Sequence, residues 1–250
     1  MHLLLISLCV LTSLLQKNPG ALAQLKAGDR FHSQLKIEEE FAAYSRAHDL
    51  APEEYEPLMK LSRSCNDRGE ELNFKKQSGA KEVFQKGLEY SELLDRKFPN
   101  RAEPQYLLAI FHAKLGKLSS SIHDKKIHGH LVEKFAKLSL KLDPDFESAL
   151  VVLGGFYREV ADLNFISRMV FGKVADATFE NSEITLKRAL ELNPNDIFAE
   201  WQMAQTLLAM SRKKEVPAHL KKILETPATD PKHPFVKMGA QDLLKKIEGS

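Results

Sequence analysis

Along most of the chain apolar side chains recur three and four residues apart, the spacing of one face of an α-helix. Four such amphipathic stretches, Glu38 to Leu50, Ala80 to Lys97, His130 to Leu142 and Glu183 to Leu192, each run into a proline: Pro52, Pro99, Pro144 and Pro194, spaced 47, 45 and 50 residues apart. Proline has no N–H to donate and drives the residue before it out of the helical region, so each stretch predicts a helix that stops there. A second helix follows every proline. Six, nine, ten and thirteen residues beyond it stand Leu58, Leu61, Ser62 and Cys65; Gln105, Leu108, Ala109 and His112; Leu150, Leu153, Gly154 and Tyr157; and Glu200, Met203, Ala204 and Leu207. These offsets share one helical face, and the third position is always Gly, Ala or Ser. A small side chain there lets two helices approach closely. Asp145 and Asn195 or Asp196 offer oxygens that can cap the helices they precede.

A single helix pair of this kind cannot bury its apolar face alone, whereas stacked pairs share a continuous core. The expected fold is therefore all-α, an α-solenoid of about four helical hairpins. A helix from Pro217 to Leu224 and a last amphipathic one from Phe235 to Ile247 are expected to cap the stack. The offsets resemble those of the tetratricopeptide repeat, most closely at Leu150, Leu153, Gly154, Tyr157, Ala189 and Pro194. That repeat is about 34 residues long. The surplus is expected as inserted segments between paired helices, at 67–79, 116–129 and 162–178. Over Lys125 to Pro194 the chain resembles the regulator-of-microtubule-dynamics family. The resemblance rests on KKIHGHLVEKFAKLSLKLDP, LGGFYREVADLNFISRMVFGK and ATFENSEITLKRALELNP, and it implies divergent helical repeats and a microtubule-linked role.

Leu3 to Leu15 is an apolar run interrupted only by Ser7, Thr12 and Ser13, too short for the roughly 20 residues that span a bilayer. Pro19-Gly20 and the small-x-small Ala21-Leu22-Ala23 follow, so residues 1–23 read as a signal peptide and 24–250 as the repeat domain. An uncleaved membrane anchor is the alternative, and the expected location is exported, periplasmic or extracellular. The formal charge of +2 falls to +1 once Lys17 is removed. No basic stripe remains to neutralise phosphates, which argues against nucleic acid. Cys65 is the single cysteine left, so stability is expected from packing rather than a disulfide.

At the offsets that line the inner groove of a tetratricopeptide superhelix stand Arg63, Asn66, Tyr106, Arg158, Trp201 and Gln205. Two arginines beside apolar anchors suit an acidic or C-terminal segment of a protein or peptide partner. Trp201 can equally pack between repeats. Phe165, Ile166, Met169 and Val170 form an apolar stripe, read as an extra helix against the repeats or a peripheral membrane contact. His123, His128 and His130 read as a solvated loop rather than a metal site, and Cys65 as core. No GxSxG, HExxH, phosphate loop or dinucleotide fingerprint occurs, and no cofactor is expected. The function expected is a non-enzymatic, exported scaffold binding a protein segment. A small-molecule-binding transport accessory and the microtubule-linked role are the alternatives.

Overall fold

The computed structural model describes residues 18–249 apart from 165, 166, 168, 170, 173 and 175. Among the described residues the chain forms eleven α-helices: α1 Pro19–Ser33, α2 Ile37–Leu50, α3 Tyr55–Phe74, α4 Ala80–Lys97, α5 Ala102–Leu118, α6 Ile122–Leu142, α7 Glu147–Ala161, α8 Phe179–Leu192, α9 Ile197–Ala209, α10 Val216–Glu225 and α11 His233–Glu248. Consecutive helices pack in pairs, α1 with α2, α3 with α4, α5 with α6, α7 with α8 and α9 with α10, while α11 covers α9 and α10. The capping helices stand where the sequence put them. One hairpin more than expected is present, because α1 supplies a partner for α2. The helices divide into two compact units, Met1–Pro99 with Thr229–Pro231, and Asn100–Ala228 with Lys232–Ser250.

The recurring small slot is where the hairpins close. Ser62, Ala109 and Ala204 are wholly buried, and Gly154 is buried with them. In the first unit the Ser62 hydroxyl donates to the Gly87 carbonyl at 3.2 Å and pairs with Ser91 Oγ at 2.9 Å, both on α4. In the second unit a Cβ on Gly154 would stand 2.7 Å from Leu186 Cγ. There the Ser182 hydroxyl donates to the Gly154 carbonyl at 2.8 Å. Fully buried Phe84, Leu94, Phe111, Leu186 and Ile197 fill the interiors. Each such side chain contributes roughly 1.5–3 kcal/mol of transfer free energy.

Two of the expected insertions are helical. Residues 67–74 continue α3, and Ile122 to Gly129 open α6, so the surplus over 34 residues goes largely into longer helices. Gly69 and Gly129 look like helix breakers in sequence but serve close approach. A Cβ on Gly69 would lie 2.3 Å from the Phe84 ring, and one on Gly129 2.2 Å from Phe171. Ser121 caps α6 by accepting from Asp124 N at 3.2 Å. The histidines at 123, 128 and 130 therefore stand on a helix, a correction to the loop reading. Asp196 caps α9, accepting from Phe198 N and Ala199 N. Asp145 caps nothing; it accepts instead from Arg188 at 2.6 Å.

Near the N-terminus, α1 is capped by Asn18, whose Oδ1 accepts from Ala21 N and whose amide donates to the Leu50 carbonyl. The expected cut after Ala23 falls one turn inside α1, so processing there would remove that cap and the fully buried Ala21. No helix among the described residues is long and apolar enough to cross a membrane. Of the apolar stripe, Phe165, Ile166 and Val170 lie outside the described residues, and Met169 is exposed. Phe171 and Val174 pack against the cluster built on Ala109, Val132 and Tyr157.

Candidate functional site

Each helix that follows a proline carries its small slot on a buried face, and the residues one position later, with those a turn to either side of them, lie on an adjoining face that is buried in part. These are the positions of the expected groove residues. On α3, Arg63 is exposed, whereas Asn66 is buried at 5 % exposure. Beside them, in the same unit, lies a polar network. Lys60 Nζ stands 2.7 Å from Asp29 Oδ1, which also accepts from the Tyr44 hydroxyl at 2.7 Å. Burial opposes the Asp29 charge, but the bonds from Lys60 and Tyr44 outweigh it and hold the carboxyl below its usual range. One turn along α1, His32 Nδ1 meets Glu40 Oε1 at 3.2 Å. The hydrogen bond to Glu40, more than any other influence, raises the His32 imidazole above its ordinary value. Asp67 of α3 completes a set in which one donor atom each from His32, Glu40 and Asp67 lies within 4.8 Å of the others.

In the second unit the arrangement is drier. Arg158 Nη2 donates to Gln202 Oε1 at 3.1 Å and to Glu159 Oε1 at 3.3 Å, and the side chain is only 13 % exposed. Glu159 is also bridged by Lys117 at 2.7 Å. Tyr106 lies half-buried, edge-on to Phe146 with ring centroids 5.5 Å apart. Trp201 packs beneath α11, where a Cβ on Gly239 would lie 3.3 Å from the indole, and it borders the core around Met203 and Leu207. Gln205 is half-buried. Of the six candidates, Arg63 and Asn66 belong to the first unit and Tyr106, Arg158, Trp201 and Gln205 to the second. Within the second unit Arg158 is tied to α9 through Gln202, and Trp201 is used for packing.

Sequence reading missed three polar groups. His112 Nδ1 lies 3.0 Å from His128 Nδ1 and stacks on Phe135 with centroids 5.6 Å apart; burial, with His128 beside it, pushes His112 down to about 4. Glu200, 3 % exposed, holds His219 at 2.5 Å and Lys222 at 2.6 Å. The third group is His32, Glu40 and Asp67. Each unites residues from different helices, so no local spacing announces it. Cys65 is fully buried and burial pushes its thiol up to about 12, which makes it an inert core residue, as the sequence suggested. A cleft of about 340 Å³ between α8, α9 and α10 has Leu190, Met203 and Leu207 for a floor. Its charged rim is mutually neutralised, Glu183 bridging Lys187 at 2.7 Å and Arg212 at 2.6 Å.

Stacked hairpins closed through a small-residue slot define a divergent tetratricopeptide-like helical-repeat protein. The model of the family described as regulator of microtubule dynamics protein 1-3 matches residues 24–248, and the chain belongs to that family. No curated sequence is similar enough to the chain to match it. Among solved structures, TTC0263, a thermophilic tetratricopeptide-repeat protein of Thermus thermophilus, superposes with a TM-score of 0.68 at 17 % identity, covering 88 % of this chain and 98 % of that one. MamA of Desulfovibrio magneticus RS-1 gives a TM-score of 0.47 at 13 % identity, over 83 % and 95 % of the two chains. The first of these likenesses supports the fold.

Proposed function

We propose that the chain is a non-enzymatic scaffold that binds a segment of a partner protein along the outward faces of its post-proline helices. The observation that carries this reading is the split at two of the slots: Ser62 and Ala204 are sealed in the hairpin interiors, while Arg63 and Gln205, one position later, are exposed and half-buried respectively. Rigid helices that hold such side chains ready lose little ordering entropy on binding. Export, expected from the apolar run at 3–15, is part of the proposal. Mass spectrometry of the N-terminus in the host decides it, a start at Gln24 supporting processing and a retained Asn18 opposing it.

The binding test is a pull-down from the host with the full chain, repeated with Arg63→Ala. Loss of one partner at unchanged melting temperature supports the reading. Parallel loss of fold and partner opposes it. Family membership favours a second reading, association with microtubules, and co-sedimentation with polymerised tubulin tests it directly. The apolar-floored cleft is the place for a small ligand on the transport-accessory reading. A thermal-shift screen of organic acids and lipids, with a bound compound raising the melting temperature by mass action, tests that alternative.

A further inference from the structure

We infer, building on the scaffold reading above, that Thr229–Pro231, in the linker between α10 and α11, is an intramolecular ligand of the first unit. The scaffold's partner is then an extended segment of the same kind, one carboxylate followed by proline, that competes with it. α10 and α11 both belong to the second unit, yet these three residues between them belong by their packing to the first. Pro231 is buried and Asp230 half-buried, while Pro227 and Thr229 are exposed. A connection with no second task runs over the surface and keeps its side chains in water. A buried proline in a stretch without helix or strand marks a docked segment instead.

The segment has the form of a ligand. Pro227 and Pro231 fix their own φ and keep Thr226 and Asp230 out of the helical region, and Thr226 is extended at φ −67° and ψ 129°. Docking such a chain orders little that is not already ordered. Asp230 is the only charge between Glu225 and Lys232. His32 of α1, raised above its ordinary value first by the hydrogen bond to Glu40, also feels the Asp230 charge. On the same unit α3 turns Lys60, Arg63 and Asp67 toward one side at successive turns, and a carboxylate oxygen of Asp67 lies within 4.8 Å of the His32 ring nitrogen. Two carboxylates, Glu40 and Asp67, thus stand beside that imidazole already. The surface therefore suits a segment with a single aspartate rather than a run of acids.

The test uses the full chain and a fluorescein-labelled peptide of residues 225–232, with binding read by anisotropy. A tethered segment that occupies its site roughly nine-tenths of the time weakens the same segment offered in trans about tenfold. Asp230→Asn, which loosens the tethered copy, should therefore bind the peptide about tenfold more tightly than the unaltered chain does, and Pro231→Gly should match it. His32→Gln added to Asp230→Asn should remove the gain. A peptide carrying asparagine in place of its aspartate should bind neither chain. In the native fold, the His32 titration followed by NMR should move to lower pH on Asp230→Asn and stay unchanged on Asp242→Asn, at an exposed position of α11. Equal peptide affinity for the two chains, binding to neither, or a His32 titration that ignores Asp230 would overturn the inference. The host pull-down separates this failure from that of the scaffold: a partner still captured through Arg63 leaves the scaffold standing without its intramolecular ligand.

Discussion

The two units close their hairpins through the same slot but furnish the space around it in opposite ways, and His32 and His112 show the contrast best. Each is an imidazole on the first helix of a hairpin. His32 faces Glu40 and is drawn toward the charged form. His112 faces another imidazole and the Phe135 ring, and burial keeps it neutral. The repeat geometry thus fixes where a side chain sits, and the residues opposite decide its charge. A polar pair with a carboxylate emerges in one unit and a dry packing pair in the other.

The slot itself offers the largest effect. Gly154 is closed upon by Leu186, whereas Ser62 has room for its hydroxyl and two hydrogen-bond partners. Gly154→Val should therefore destabilise the chain by about 3 kcal/mol, through overpacking against a core leucine and the Ser182 carbonyl. Ser62→Ala should cost only about 1 kcal/mol, the net value of its hydrogen bonds. Denaturant unfolding measures both. Similar losses at the two positions would erase the distinction.

The next effect separates the histidines by pH. His112 is held below the ordinary imidazole value of 6.5, at about 4. Between those values the unfolded chain binds a proton that the folded chain refuses, so stability falls as pH drops from 6.5 toward 4. The loss should reach about 2 kcal/mol, allowing for partial solvent screening, and His112→Gln should flatten it by that amount. His32 has the opposite sign. Its folded value is raised, so its contribution is present below 6.5 and is lost as pH rises through the raised value. His32→Gln should therefore flatten the alkaline side of the profile while leaving the acid side unchanged.

Much of this architecture was legible in the chain. Pro52, Pro99, Pro144 and Pro194 end helices, and the small residues ten positions later are buried. The failures have physical causes. Gly69 and Gly129 fall in the segments expected as insertions, yet both lie inside helices, where Phe84 and Phe171 occupy the space a Cβ would need. Pro19-Gly20, which reads as a break in sequence, opens α1, with Asn18 as the cap. For Trp201 the sequence left groove and packing open, and its packing under α11 is set by a helix that no spacing within one repeat reveals. The buried set of His32, Glu40 and Asp67 depends on three helices meeting, so it exists only in the fold.

The smallest expected effect on stability comes from Arg63→Ala, within about 0.5 kcal/mol because the position is exposed, and this makes the site suitable for probing partners. A photo-crosslinking side chain placed at 63, at 205, and at the exposed Lys81 of α4 tests the binding face most directly. In host extract, positions 63 and 205 should each capture a protein while position 81 captures none. Capture from 81 alone, or equal capture from all three, would contradict a scaffold that binds through its post-proline helices.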